Sequence, residues 1–258
     1  FKVTSVRRVE TTKLLAGWNL FSYGMSMALP DGEDLLSPLV GAPSGGKPGA
    51  GLSRWRCDRG TWKITDYVPV SGPDSSMEPS AVRDADGALL FCVRGACDDL
   101  PAVGLRRDPE REKSFLMWRS TDGGRTWSES INLRDKRGAT PVTICLTAEG
   151  RPFIAGNDII PGAHPMRMRQ KLSLWPLTAD RKGVEGPSFT FDCLTQFGPT
   201  PGGSLWHMDH PYNASVRLAD GKPRSLLVMR VCEANEVGGG APPTPRTGCW
   251  IAEVVTGR

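Results

Sequence analysis

The sequence is poor in the features that mark the simplest functional classes. Within its 258 residues no apolar run approaches the roughly 20 residues that a membrane helix requires. The opening FKVTSVRRVETTK also lacks the apolar stretch of a secretory leader. A soluble chain with no membrane partner is expected. Lysine and arginine total 32 against 28 acidic residues, a net charge of +4. They form no cluster and do not interleave with aromatic residues, so nucleic acid is not an expected partner. The seven cysteines, at 57, 92, 97, 145, 193, 232 and 249, are odd in number and never fall in Cys-x-x-Cys spacing. That excludes a zinc ribbon and a complete disulfide framework. Cys92 and Cys97 are near enough in sequence to close a small loop, with buried free thiols the equal alternative. Helical signals are nearly absent.

What the sequence does have is glycine, proline and repetition. The 30 Gly and 22 Pro suit a chain of many turns. One pattern recurs: an alternating apolar run, an acidic residue followed by Gly, and a second apolar run. It appears as MSMALPDGEDLL, SAVRDADGALLFCV, VTICLTAEGRPFIA and ASVRLADGKPRSLLVM. The turn glycines are Gly32, Gly87, Gly150 and Gly221, at intervals of roughly 55 to 70 residues. Period-2 alternation on both sides of such a turn predicts a β-hairpin. A second hairpin follows each of the first three copies, at LSRWRCDRGTWKI, at STDGGRTW and at KLSLWPLTADRKGVEGPSFTF. In STDGGRTW, Asp-Gly-Gly supplies the turn, and Thr126 and Trp127 are expected to start the returning strand, with the Trp packed on a neighbouring layer. Two hairpins per copy make a four-stranded unit, and units of this size predict an all-β propeller, one domain over residues 1–258. FKVTSVRRVE is a candidate to pair with the final strand, CWIAEV, in one closing blade.

The pattern S-x-D-x-G-x-T-W in STDGGRTW is the Asp-box, and on it the chain resembles the sialidase superfamily of Asp-box propellers. In that family the box lies on the outer part of the blade and marks fold. The inner strands carry the functional part of the resemblance. EPSAVRDADGALLFCVR supplies Glu78 and Arg94, and HPYNASVRLADG supplies Tyr212. The resemblance, which covers residues 75–230, implies a nucleophilic Tyr212 polarised by Glu78 and a substrate carboxylate held by Arg94. Tyrosine nucleophiles are a recognised exception to the two-carboxylate scheme of glycosidases. A phenol with an ordinary pKa of about 10 needs such a neighbouring base. The sequence departs from the family where VTICL puts Cys145 in place of an inner-strand Arg, and where Arg230 replaces a Glu. The first-blade Arg-Ile-Pro and the loop Asp acid/base have no counterpart. A six-bladed sialidase would need roughly 350 residues, against four visible copies.

Residues 206–214, WHMDHPYNA, form the densest run of reactive types in the chain: Trp206, His207, Asp209, His210 and Tyr212. As a metal site the run lacks an obvious third ligand, and neither metal nor cofactor is expected. As a catalytic loop it offers His210 or Asp209 as proton donor. Trp206, His207, Arg230 and Asn157 are candidates to line the substrate site, with ring packing, capping and turn roles as their plain structural alternatives. For Arg94 the plain alternative is an ion pair with Asp98 or Asp99. Three functions fit. The first is an exo-glycosidase on a terminal, acidic glycan residue, with Tyr212 and Glu78 as the nucleophile pair. The second is a lyase on uronate-containing polysaccharide, using His210 and Tyr212. The third is a glycan-binding propeller without turnover. A glycan substrate implies an extracellular or periplasmic location.

Overall fold

The computed structural model describes residues 15–21, 28–71, 77–94, 115–134, 141–157, 169–200, 205–217, 219–234 and 248–255. The alternating runs form four antiparallel sheets in chain order. The first contains β1 (Trp18–Phe21), β2 (Leu29–Asp31), β3 (Asp34–Pro43), β4 (Gly49–Asp58) and β5 (Thr61–Pro69). The second contains β6 (Met77–Arg83), β7 (Leu89–Arg94), β8 (Phe115–Ser120) and β9 (Ile131–Arg134). The third contains β10 (Val142–Leu146), β11 (Pro152–Asn157), β12 (Lys171–Pro176) and β13 (Phe189–Asp192). After a short helix α1 (Cys193–Phe197), the fourth contains β14 (Leu205–Arg217), β15 (Pro223–Ala234) and β16 (Gly248–Val254). No helix among the described residues is long and apolar enough to cross a membrane.

The turns form as their chemistry requires. Gly32, Gly87, Gly150 and Gly221 join the first two strands of the repeat in each sheet, at φ 64°, 85°, 82° and 76°. That left-handed conformation is open to Gly without a Cβ penalty. The second hairpins fall at β4–β5, β8–β9 and β12–β13. In the fourth sheet, β16 follows β15 singly. The proposed pairing of residues 1–10 with this last strand lies outside the described residues, as does Cys97; Cys92 is a buried free thiol.

The stretch at residues 120–127 differs from expectation in one respect. The returning strand starts at Ile131, several residues after Trp127, because the turn is closed by side chains and not by a strand ladder. Asp122 Oδ1 accepts from the Ser120 hydroxyl at 2.8 Å and from the Arg125 and Thr126 amides at 3.0 Å each, while its Oδ2 accepts from the Thr126 hydroxyl at 2.6 Å. The Gly124 amide donates to Ser120 Oγ at 2.9 Å. These bonds hold the Asp122 carboxyl far below the usual carboxylate range, the Thr126 hydroxyl contributing most. Trp127 is left free to pack edge-on against Phe91, with ring centroids 5.5 Å apart. Its structural role is as expected.

The sheets pack face to face in series. Leu36 and Leu52 of the first meet Leu89, Phe91 and Trp118 of the second. Leu90, Phe115 and Met117 of the second meet Ile144, Ile154 and Trp175 of the third. Phe153 and Leu172 of the third meet Trp206, Met208, Leu227 and Met229 of the fourth. Each layer is continuous and fully buried at its centre, so truncating a central ring such as Phe91 costs about 3–5 kcal/mol. This stacking brings the first strands of the last three sheets together: β6 packs on β10, and β10 on β14.

Candidate functional site

β6 and β14 begin alike. In β6 the register passes from Met77↔Arg94 to Ser80↔Cys92, so Glu78 and Pro79 oppose the single residue Val93. In β14 it passes from Asp209↔Arg230 to Tyr212↔Val228, so His210 and Pro211 oppose the single residue Met229. Proline cannot donate to a ladder and bars the residue before it from the ordinary helical region. Each strand answers with a bulge, which re-aims the side chain it carries. Glu78 sits at φ 55° and His210 at φ 51°. A non-Gly residue in this region costs about 1–3 kcal/mol and persists only when its surroundings hold it there.

The two bulges point at each other. His210 Nε2 lies 3.8 Å from Glu78 Oε1. Glu78 is 2% exposed, and its other oxygen accepts from Arg94 Nη1 at 3.1 Å. Arg94 therefore pairs with Glu78; Asp98 and Asp99 lie outside the described residues. On its far side the His210 ring places Nδ1 2.8 Å from Asp209 Oδ1, close enough for an ion pair but off the line of a straight hydrogen bond. Asp209 is fully buried. Its carboxylate accepts from Arg230 at 2.9 Å through both oxygens and from Arg169 Nη1. Burial alone would raise the Asp209 pKa, but the contacts with His210 and Arg230, with the charge of Arg169, outweigh it and hold the carboxyl far below its usual range. The bond to Asp209 likewise raises the Arg230 pKa. Glu78, His210 and Asp209 thus form a line in which an imidazole stands between two carboxylates, surrounded by three guanidinium groups.

The other candidates are distributed around this line. Tyr212 follows the second bulge and is 44% exposed. The other described tyrosine, Tyr67, is buried, and its hydroxyl donates to the Gly49 carbonyl at 3.1 Å. No hydrogen bond joins Tyr212 to Glu78 among the described residues; the partner brought to Glu78 is His210. Arg230 is half exposed and belongs to the site through Asp209. His207 is buried at 2% exposure, and burial, helped by the charge of Arg169, lowers its pKa to about 4, so the ring is neutral near pH 7. Trp206 is also buried, its indole N–H donating to the Gly198 carbonyl at 2.7 Å. Asn157 is buried and donates to the carbonyls of Met208 and Lys171 at 2.7 and 2.9 Å. Trp206 and Asn157 tie the fourth sheet to the third, whereas His207 shares the face of β14 that carries Asp209 and feels the charges of Arg169, Asp209 and Arg230. Arg169 was not legible in the sequence: it lies in the run MRMRQK leading into β12, with no motif to set it apart from its neighbours.

A cavity of about 670 Å³ opens elsewhere, between β12–β13 and β15–β16, walled by Phe189, Phe191, Met229 and Trp250. It includes none of Glu78, Arg94, His210 or Tyr212, and its lining is mainly apolar. The reactive groups are elsewhere, at the strand starts. No group of three or more His, Cys, Asp or Glu able to hold a metal ion occurs among the described residues.

No protein-family model matches the chain, and no curated protein does. Solved structures do share its fold. A thermostable family-43 glycoside hydrolase superposes with a TM-score of 0.52 at 9% identity, covering 89% of this chain and 70% of that one. A family-43 protein from a capybara gut metagenome gives 0.51 at 11% identity, covering 90% of this chain and 39% of that one. At such identities the likeness establishes the fold, an all-β, multi-sheet architecture of the glycosidase propeller kind. It also corrects the expected sialidase-superfamily resemblance, because the solved structures that share the fold are predominantly family-43 glycoside hydrolases. The Trypanosoma rangeli sialidase reaches only 0.47 at 17% identity, and the chain spans 28% of its length. The reason is physical: the STDGGRTW turn is a local hydrogen-bonding device that an antiparallel hairpin of any family can carry, and it specifies neither blade geometry nor axial residues.

Proposed function

We propose that the chain carries the site of a glycoside hydrolase acting on anionic glycans, at the mouth where β6 and β14 begin. The observation that carries this reading is the opposition of Glu78 and His210, each placed by a strained bulge, 3.8 Å apart. Glycosidic hydrolysis needs a proton donor for the departing oxygen and an attacking oxygen on the other face of the sugar. In this reading His210 exchanges the proton, and Asp209, anchored by Arg169 and Arg230, orients its ring. Water supplies the attacking oxygen as the Glu78 carboxylate takes its proton, the proton given up by His210 goes to the departing oxygen, and Tyr212, exposed beyond the same bulge, contacts the sugar. Three arginines against two carboxylates leave an excess of positive charge, which attracts a carboxylate or sulfate ester on the substrate. The fold likeness to family-43 glycoside hydrolases supports the class of reaction.

One observation favours a second reading, β-elimination on uronate chains. Both carboxylates at the mouth are ion-paired to arginine, whereas His210 and Tyr212 both reach solvent and together make a base and an acid without a free carboxylate. The products separate the two. Incubation with 4-methylumbelliferyl uronides and with an anionic polysaccharide is expected to release fluorophore and saturated sugar. Unsaturated, ultraviolet-absorbing ends without fluorophore release would select elimination, and neither product would leave a glycan-binding protein.

A further inference from the structure

We infer that Thr143, a buried residue near the start of β10, is a positioning residue for His210. The inference rests on the function proposed above. β10 is the first strand of its sheet, and no strand pairs its inner edge among the described residues. Backbone groups on such an edge still need partners once buried. Here they come from side chains of the neighbouring sheets. The Ile144 amide donates to Ser80 Oγ at 2.9 Å and the Leu146 amide to Asn213 Oδ1 at 3.0 Å, while the Leu146 carbonyl accepts from Ser225 Oγ at 2.6 Å. Ser80 directly follows the bulge at Glu78 and Pro79. Asn213 lies just beyond the bulge at His210 and Pro211. One strand is therefore stitched to both bulges.

Thr143 makes the contact nearest the chemistry. Its hydroxyl, fully buried, donates to the carbonyl of Pro211. That carbonyl belongs to the peptide between Pro211 and Tyr212, so the bond fixes the plane that leads directly into Tyr212 and, through the ring-restricted φ of Pro211, back to His210. The left-handed conformation of His210 is unfavourable in itself, and it relaxes toward ordinary strand geometry when this anchor is lost. The ring then moves away from Glu78 and Asp209, the two carboxylates that flank it, while the sheets, held by their apolar layers, stay packed.

Two variants test this in the 258-residue chain. Thr143→Val keeps the shape and removes the donor; Thr143→Ser keeps the donor. The first readout needs no substrate: the imidazole resonances of His210 by NMR, assigned with His210→Asn. Thr143→Val is expected to shift them and Thr143→Ser to return them toward wild type, with the His207 resonances unmoved. On a turned-over glycan, Thr143→Val should lower kcat about tenfold with KM within about twofold, as a misplaced catalytic group does, and Thr143→Ser should restore most of the rate. Should Thr143→Val not fold, Thr143→Cys, with its weaker donor, carries the same comparison. Unmoved His210 resonances in the Val variant, or a Ser variant no better than Val, overturn the inference. Absence of turnover on every glycan would overturn the proposed function, while the ring resonances would still decide the role of Thr143.

Discussion

Glu78 and His210 are held by the same device from two different sheets. Each precedes a proline, each opens a bulge opposite one residue, each lies in the left-handed region at φ 55° and 51°, and their side chains approach to 3.8 Å across the mouth. A single strained residue is explicable as local accident. Two, built alike and aimed at each other, are explained by the position they give to their side chains.

The Arg94–Glu78 pair is nearly enclosed, so breaking it leaves a charge with poor access to water. Arg94→Met is expected to lower unfolding free energy by about 3 kcal/mol and to remove turnover of anionic substrates. Urea unfolding followed by fluorescence measures the first effect and product release the second. A stability unchanged within error would show that solvent reaches the pair.

His207 makes stability depend on acid. Its folded pKa of about 4 lies below the ordinary 6.5, so between these values the unfolded chain binds a proton that the folded chain refuses. Stability contributed by the neutral ring is complete above about pH 6.5, falls as the solution is acidified toward pH 4, and changes no further below. The full effect is on the order of 3 kcal/mol. Asp209 acts lower: its folded pKa is depressed, so its contribution is present above its ordinary value of 3.8 and is lost only as pH falls below it. Urea midpoints taken across this range should decline in wild type and stay nearly flat from pH 6.5 to 4 in His207→Gln. Equal slopes in the two proteins would refute the assignment.

The STDGGRTW turn supports the fold and not the site. Gly124 lies at φ 86°, and a Cβ there would come within 2.6 Å of Leu52 Cδ2 in the neighbouring sheet. Gly124→Ala should therefore cost about 2 kcal/mol through strain and overpacking, seen as a lower thermal midpoint, with kcat and KM unchanged. A selective loss of kcat would place this turn in the catalytic apparatus.

Much of the fold was readable because its signals are local. Turn glycines at 32, 87, 150 and 221 needed only hairpin chemistry, and all four take the expected conformation. Trp127 packs where an amphipathic ring after a turn should. The starting point of the following strand was not readable, since Asp122 satisfies the turn amides with its side chain and delays the ladder. The site was half legible. WHMDHPYNA marked Asp209, His210 and Tyr212, but alternation alone could not show that a bulge turns His210 toward Glu78, while Trp206 goes into the core and His207 is buried within reach of the charges of Arg169 and Asp209. The repeated X-Pro start, Glu78-Pro79 and His210-Pro211, was the available clue. Arg169 and Thr143 carried none, because their roles depend on which strands the sheets bring together.

The central claim is that Glu78 and His210 work as one unit at a glycan-processing mouth. A double-mutant cycle on product release from an anionic glycoside, using Glu78→Gln, His210→Asn and both together, tests it most directly. The account predicts that each single variant loses at least about a hundredfold in kcat and that the double variant loses little more than the worse single one, as for residues acting together. Losses that simply multiply, or a His210→Asn variant as active as wild type, would contradict it.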